Sequence, residues 1–218
     1  MNEFFHVLTD NWDVIGPRFV TTIELFLVAA AASTVVGTLL AAMRVSPVPA
    51  LRSFGTSYVL LLRNTPLTLV FAMMIFAVPK LGFDIELFPS ACIALVAYTS
   101  AFICEALRSG INTVPVGQAE AARALGMTFT QVLGSIVLPQ AFRTVVPPMI
   151  SVFNALLKNT TVAGGFAVAE ALQAQEYLSE RGENRIYVIL WITIGFLVLV
   201  VPLILLQRVL ERRWKVAR

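Results

Sequence analysis

The residues best suited to chemistry are a few ionisable side chains set in apolar surroundings. Glu24, Arg63, Glu105 and Lys158 fall in or beside long apolar runs. A charge at the centre of a bilayer costs about 2.5–3.5 kcal/mol on the insertion scale, so such groups face a bundle interior or a water-filled path. Arg63 is followed by Asn64, Thr65 and Pro66. The proline frees a backbone carbonyl near Leu62, which suits a helix lining a polar path; the competing reading has Arg63 snorkel to the inner surface. Lys158 has Asn154 one turn earlier and Asn159, Thr160 and Thr161 after it, before Gly164-Gly165 breaks the helix. Polar groups where a helix stops suit a transient solute site, and an outer-surface anchor is the equal alternative. Glu105 and Arg108, three residues apart, are expected to pair on one helix face. Glu24 is expected to reach the outer interface.

Other chemistries find no support in the sequence. No nucleophile and base can be paired, and no cluster of His, Cys and carboxylate has metal-ligand spacing, so neither catalytic nor metal residues are expected. Cys92 and Cys104 share one apolar run. Twelve helical residues hold them about 18 Å apart, too far for a disulfide. His6 stands alone in an N-terminal stretch expected to be mobile. There is no G-x4-G-K-[ST] loop to cradle nucleotide phosphates, and no basic stripe interleaved with aromatics for nucleic acid.

The elements that must position these residues are membrane helices. Of the 218 residues 58% are apolar and 13% charged, against roughly 25% charged in an average soluble domain. A bilayer core about 30 Å thick needs roughly 20 apolar residues per helix. Five spans are expected, near Phe19–Met43, Tyr58–Val78, Phe88–Arg108, Gln140–Leu157 and Ile186–Leu206. The fold class is therefore all-α, a polytopic membrane protein. Residues 1–18 read as an extracytoplasmic leader and 19–218 as a single transmembrane domain. The acidic first eighteen residues lack a basic n-region, so the first span is expected to act as an uncleaved signal.

Charge sets the orientation, because Lys and Arg in short connections favour the cytoplasm. With the N-terminus outside and five spans, the inner segments carry Arg44, Arg52, Arg108, Arg123, Arg143, Arg208, Arg212, Arg213, Lys215 and Arg218. The outer segments carry only Arg18, Lys80, Arg181 and Arg185. Ten against four places the C-terminus in the cytoplasm.

The segment 113–139 lies on that inner side and is too rich in Gly, Ala, Gln and Thr for a lipid-facing span. Pro115 suits the first turn of a helix. A short helix over Val116 to Leu125 follows, stopped at Gly126, a position that favours a left-handed residue. Thr128 and Gln131 have the spacing of a capping box that opens a second helix. Ala119, Ala121, Ala122 and Ala124 smooth the first helix, while Glu120 and Arg123 offer directed polar contacts. Helix, sharp turn, helix makes a knob built for docking.

These residues resemble the EAA loop of ABC importer permeases. Its form is E-A-A, three residues, G, nine residues, I-x-L-P, and Glu120-Ala121-Ala122, Gly126, Ile136, Leu138 and Pro139 fill every fixed position. Flanking segments (Arg63-Asn64-Thr65-Pro66, Ala97-Tyr98, Glu105 to Gly110, Val114-Pro115-x-Gly117-Gln118, Leu138-Pro139-Gln140 and Leu157-Lys158-Asn159-Thr160) are similar to permeases that import polar amino acids of the glutamate, glutamine and histidine type. Two departures, Asn159-Thr160-Thr161 for the more usual Asp-Thr-Ser and Ser109 at a commonly Gly position, bear on substrate identity. The resemblance covers the chain from about Phe19 onward and implies a type I importer-like fold in a bacterial inner membrane. It implies a coupling helix in which Glu120, Ala121, Ala122, Arg123 and Gly126 meet a cytoplasmic ATPase. It implies a substrate pathway near Arg63, Asn64, Thr65, Asn154, Lys158 and Thr160. It also implies two ATPase subunits that hold ATP and Mg, a second permease subunit, identical or homologous, and an extracytoplasmic solute-binding protein. The rival expectation is a secondary transporter or channel driven by an ion gradient, whose mark would be inverted repeats with paired broken helices.

Overall fold

Periodicity in the first long helix shows how the bundle is assembled. The computed structural model describes residues 2–213; Lys215 and Arg218, counted above toward the inner charge, lie outside the described residues. Helix α1 (Asn2–Asp10) is followed by α2 (Trp12–Arg44). On α2 the buried residues are Ile15, Thr22, Leu25, Ala29, Ser33, Gly37 and Leu40, a stripe at helical spacing that leaves the rest of the helix for lipid. The stripe packs on α5 (Leu87–Ile111), the most enclosed helix of the bundle. Gly37 allows the approach: a β-carbon there would lie 2.6 Å from the Ile103 side chain and 2.9 Å from the Ser100 carbonyl. Small residues let membrane helices pack this closely, where water supplies no drive for association.

The expected second span is broken. Helix α3 (Pro49–Asn64) and α4 (Leu67–Lys80) meet at 105° across Thr65 and Pro66. The expected continuous helix from Tyr58 to Val78 is therefore corrected. Pro66 cannot donate to the Leu62 carbonyl and disfavours helical geometry at Thr65, which is extended (φ −98°, ψ 132°). A second proline acts more mildly: Pro79 follows a π-helical turn at Met73–Ala77, which widens the helix where the ring would meet the Ile75 carbonyl.

The segment 113–139 also differs from expectation. Helix α6 (Val116–Ala124) is the expected short helix. The second helix of the knob, however, does not stop before the fourth span. It runs into it as α7 (Phe129–Gly164), 36 residues with a π-helical turn at Leu133–Val137 ahead of Pro139. Pro147 and Pro148 lie inside α7 without ending it. Helix α8 (Gln173–Glu180) and the long, mostly lipid-facing α9 (Arg185–Arg213) complete the chain. Four single helices and one bent pair are long and apolar enough to cross a membrane. Every described element is helical.

The central core joins Leu25 and Ala29 of α2, Phe71 of α4, Leu95 of α5 and Leu156 of α7. A second cluster corrects the mobile leader. Val7 of α1 packs with Ile15, Leu178, Val188 and Ile192. The Trp191 Nε1–H donates to the Phe4 carbonyl at 2.7 Å, and the two rings stack at 4.6 Å. His6 sits on this ordered helix, 3.9 Å from Asp10. The boundary placed after residue 18 falls inside α2.

Candidate functional site

The docking knob is built by two local rules. Gly126 takes φ +82°, and around it the Gly126 N–H donates to the Arg123 carbonyl at 2.9 Å and the Met127 N–H to the Ala122 carbonyl at 3.2 Å. This pair of bonds is the Schellman motif, which closes a helix on a left-handed residue. Two residues on, the Gln131 N–H donates to Thr128 Oγ1 at 3.4 Å while the Thr128 N–H donates to Gln131 Oε1 at 2.9 Å, the reciprocal capping box that starts α7. The side chain of Gln140 on α7 donates to Gln118 Oε1 on α6 at 2.6 Å, and Arg123 lies over the Phe129 ring at 6.0 Å. The knob is thus braced to the long helix at both ends.

Its surface differs in part from a smooth alanine face. Glu120, Ala121 and Arg123 are exposed, but Ala122 is buried and secures α6 to the body. Val116 (73% exposed), Leu125 (85%) and Phe129 (66%) stand out instead. They lie at helix ends, outside the E-A-A pattern, and exposure at such positions has no sequence period.

The polar residues near the bundle centre separate into a cluster, a recess and a set of helix caps. Glu105 on α5 accepts hydrogen bonds from Arg44 of α2 and, at 3.4 Å, from Arg108, and pairs ionically with Arg63 of α3 at 3.2 Å. The expected Glu105–Arg108 pair is present, and Arg63 joins it. Its side chain is 44% exposed and lies 5.8 Å from the Phe102 ring centroid. Asn64 and Thr65 cap the broken helix. Asn64 Nδ2 donates to the Leu60 carbonyl at 2.7 Å and Thr65 Oγ1 to Leu61 at 2.8 Å, the second meeting a carbonyl left open because the Thr65 N–H donates to Leu62.

Beside Arg63 and Phe102 a recess of about 340 Å³ opens between α5 and α7, with Thr99, Ser151 and Asn159 among its polar walls. Thr99 Oγ1 is buried without a hydrogen-bond partner among the described residues. The sequence did not single out Thr99 or Ser151, because one hydroxyl in an apolar helix carries no motif. Of the expected pathway residues on α7, Lys158 is exposed. Asn154 is buried and donates to Gln207 of α9 at 3.4 Å, its Oδ1 having no hydrogen-bond partner among the described residues. Thr160 is wholly buried, its hydroxyl donating to the Leu157 carbonyl at 2.7 Å.

Glu170, in the connection between α7 and α8, is buried. It accepts the N–H of Leu172 at 2.8 Å and of Gln173 at 3.2 Å, and the Thr22 hydroxyl of α2 at 3.3 Å. Burial pushes its carboxyl up to about 7, against those stabilising bonds. Gly164 leaves the space its carboxylate fills. The connection after α7 is thereby latched to α2.

Comparison with known proteins agrees with this geometry. Residues 33–216 match the family described as the inner membrane component of binding-protein-dependent transport systems. The chain is 42% identical over 209 residues to the glutamate transport system permease protein GluC of Corynebacterium efficiens, covering 88% of this chain and 92% of that one. It is 36% identical over 207 residues to the probable glutamine ABC transporter permease protein GlnM of Bacillus subtilis, covering 95% and 96%. Its fold matches that of an amino acid ABC transporter solved with histidines, with TM-score 0.90 at 24% identity, over 96% of this chain and 98% of that one. It also matches the inward-facing MetNI methionine ABC transporter, with TM-score 0.72 at 21% identity, over 93% and 96%.

Proposed function

This chain belongs to the family of binding-protein-dependent transport inner membrane components, and from that premise we propose that it is the permease subunit of an ATP-binding-cassette importer of polar amino acids, glutamate or glutamine foremost. The observation that carries the reading is the continuity of α7. The knob's second half and the recess with Ser151 and Asn159 belong to one helix. A force applied at Glu120 and Leu125 passes through the Gly126 turn and the Gln118–Gln140 brace into α7, which runs on to the solute path without a further loop.

The partners follow from what one chain lacks. Its spans leave Arg63 and the α5–α7 recess open at the side, so a second permease, identical or homologous, supplies the facing wall. Two cytoplasmic ATPases receive the knobs and supply the energy with ATP and Mg. A solute-binding protein delivers the amino acid on the outer side, where α1, α8 and Glu170 lie. The N-terminus is outside and the C-terminus in the cytoplasm, as the ten-to-four basic bias supports. Arg63, Asn64, Thr65, Asn154, Lys158 and Thr160 belong to the solute path, with Arg63 and Lys158 attracting the substrate carboxylate and Thr160 setting the helix end. The ion-gradient alternative calls for paired broken helices; among the described residues one pair bends this sharply.

The test is reconstitution of the whole complex in proteoliposomes with its solute-binding protein. Glutamate or glutamine should raise ATP turnover and accumulate inside only when ATP is supplied. Uptake driven by a proton or sodium gradient without ATP would overturn the proposal.

A further inference from the structure

At the inner end of the bundle, a groove of about 270 Å³ runs between α2 and α5. Its walls include Thr38, Ala42 and Val45 on one side and Leu107, Arg108 and Ile111 on the other. Beyond Arg108 it is almost wholly apolar. The arginine is out of keeping with the rest of the groove. Its Nε is buried with no hydrogen-bond partner among the described residues, and its Nη2 makes only a long contact of 3.4 Å to Glu105. That carboxylate is already shared with Arg44 and Arg63, so three guanidinium groups face one acid and, among the described residues, two positive charges are left uncompensated.

We propose that this groove binds an anionic phospholipid of the cytoplasmic leaflet, with part of an acyl chain between α2 and α5 and the headgroup phosphate on Arg108. The site rests on the orientation given above, which sets Arg108 at the inner membrane surface. Three features select this occupant. The groove opens on a bundle face clad in exposed Val35, Leu39 and Val45, a surface suited to hydrocarbon. The surplus charge complements a phosphodiester, and basic pockets between helices on the cytoplasmic side hold anionic headgroups. The Arg108 fork presents more donors than Glu105 can accept, and a guanidinium matches phosphate oxygens in bidentate fashion. A bound lipid would wedge the inner ends of α2 and α5 next to the start of the knob at Val116, and so bias the transport cycle.

The test uses the full transporter complex in mixed phosphatidylglycerol and phosphatidylcholine, with retained lipid counted by native mass spectrometry. The wild type should keep phosphatidylglycerol with about fivefold preference, the scale of one basic contact at a membrane surface. Ala42→Trp, which fills the groove without touching the charge cluster, should lose the bound lipid. Arg108→Gln should bind both lipids alike. Equal retention of the two lipids by the wild type, or an unchanged preference in Ala42→Trp, would overturn the proposal. So would cross-linking of an Ala42→Cys variant to another protein chain of the complex, which would show protein covering the groove. Amino-acid-stimulated ATP turnover, read in the same preparations, reports the transport function separately. Import without lipid selectivity removes only the lipid site, and selectivity without import removes only the transport reading.

Discussion

Arg63 on α3 reaches Glu105 on α5 at 3.2 Å, so α3 is tied to the central helix by the same carboxylate that holds Arg44 and Arg108. The tie is partial, since Glu105 keeps two other cations when Arg63 is removed. Arg63→Ala should therefore leave the complex assembled and its thermal stability nearly unchanged, while uptake falls. Lys158→Ala, at an exposed position without an ion pair among the described residues, should behave likewise. Glu105→Gln is different. It leaves three arginines facing one another, and losing charged hydrogen bonds of this kind costs about 1.5–3 kcal/mol each, so assembly and uptake should fail together. Size-exclusion profiles beside uptake rates separate the two outcomes. Loss of assembly in Arg63→Ala would make that residue structural.

Glu170 gives a pH dependence whose sign is fixed by its burial. Its carboxyl titrates near 7 in the folded chain, above the ordinary Glu value of 4.5, so the folded state binds the proton more tightly than the unfolded state. Stability from this group is fully present below about pH 4.5 and is lost as pH rises through 7, by about 3 kcal/mol in total. The apparent Tm of the detergent-solubilised complex should fall between pH 5 and 8. In Glu170→Gln, which keeps the shape and stays neutral, that slope should flatten. An identical slope in the variant would assign the titration to another group.

Membrane orientation is open to a direct labelling test. Cys92 and Cys104 are buried, so an impermeant maleimide meets little background in intact cells. Glu176→Cys and Glu180→Cys, exposed on α8, should label from outside. Val209→Cys and Glu211→Cys near the end of α9 should label only after permeabilisation. Labelling of both pairs from one side would remove the five-span arrangement.

What the sequence made legible follows from the range of the interactions involved. The turn between α6 and α7 is local: Gly126, Thr128 and Gln131 act on backbone within five residues, and the structure holds both motifs where the spacing placed them. The Glu105–Arg108 pair is local as well. Three features were hidden because they are tertiary. Arg44 and Arg63 meet Glu105 from other helices, so no spacing along α5 announces them. Glu170 reads as one of several acids in an outer loop, and only the fold brings Thr22 and Gly164 around it. The leader reads as acidic and short, yet Phe4 finds Trp191 across 187 residues. The bend between α3 and α4 was half visible, since Pro66 marked the site but proline alone does not say whether a helix kinks or turns through 105°.

The strongest expectation concerns Glu120 and Gly126. Glu120 is exposed on α6 between exposed apolar residues, Val116 on one side and Leu125 on the other, so its carboxylate reaches a partner groove without rearrangement of the knob. Glu120→Lys reverses that charge, and like charges set against each other in an interface cost several kcal/mol. Gly126 acts through the backbone. A β-carbon there would meet no atom within 4 Å, so the penalty of Gly126→Val is purely conformational, about 1–2 kcal/mol for a left-handed residue with a side chain. Release of that strain opens the Schellman turn and swings α6 relative to α7. Neither position lies in a span, so both variants should insert and fold as wild type does. Both should lose ATPase docking or amino-acid-stimulated ATP turnover, and uptake with it. Gly126→Asn, which tolerates the left-handed region better than Val, should recover part of the activity. Wild-type ATPase binding and uptake in both Glu120→Lys and Gly126→Val would remove the knob from the coupling path.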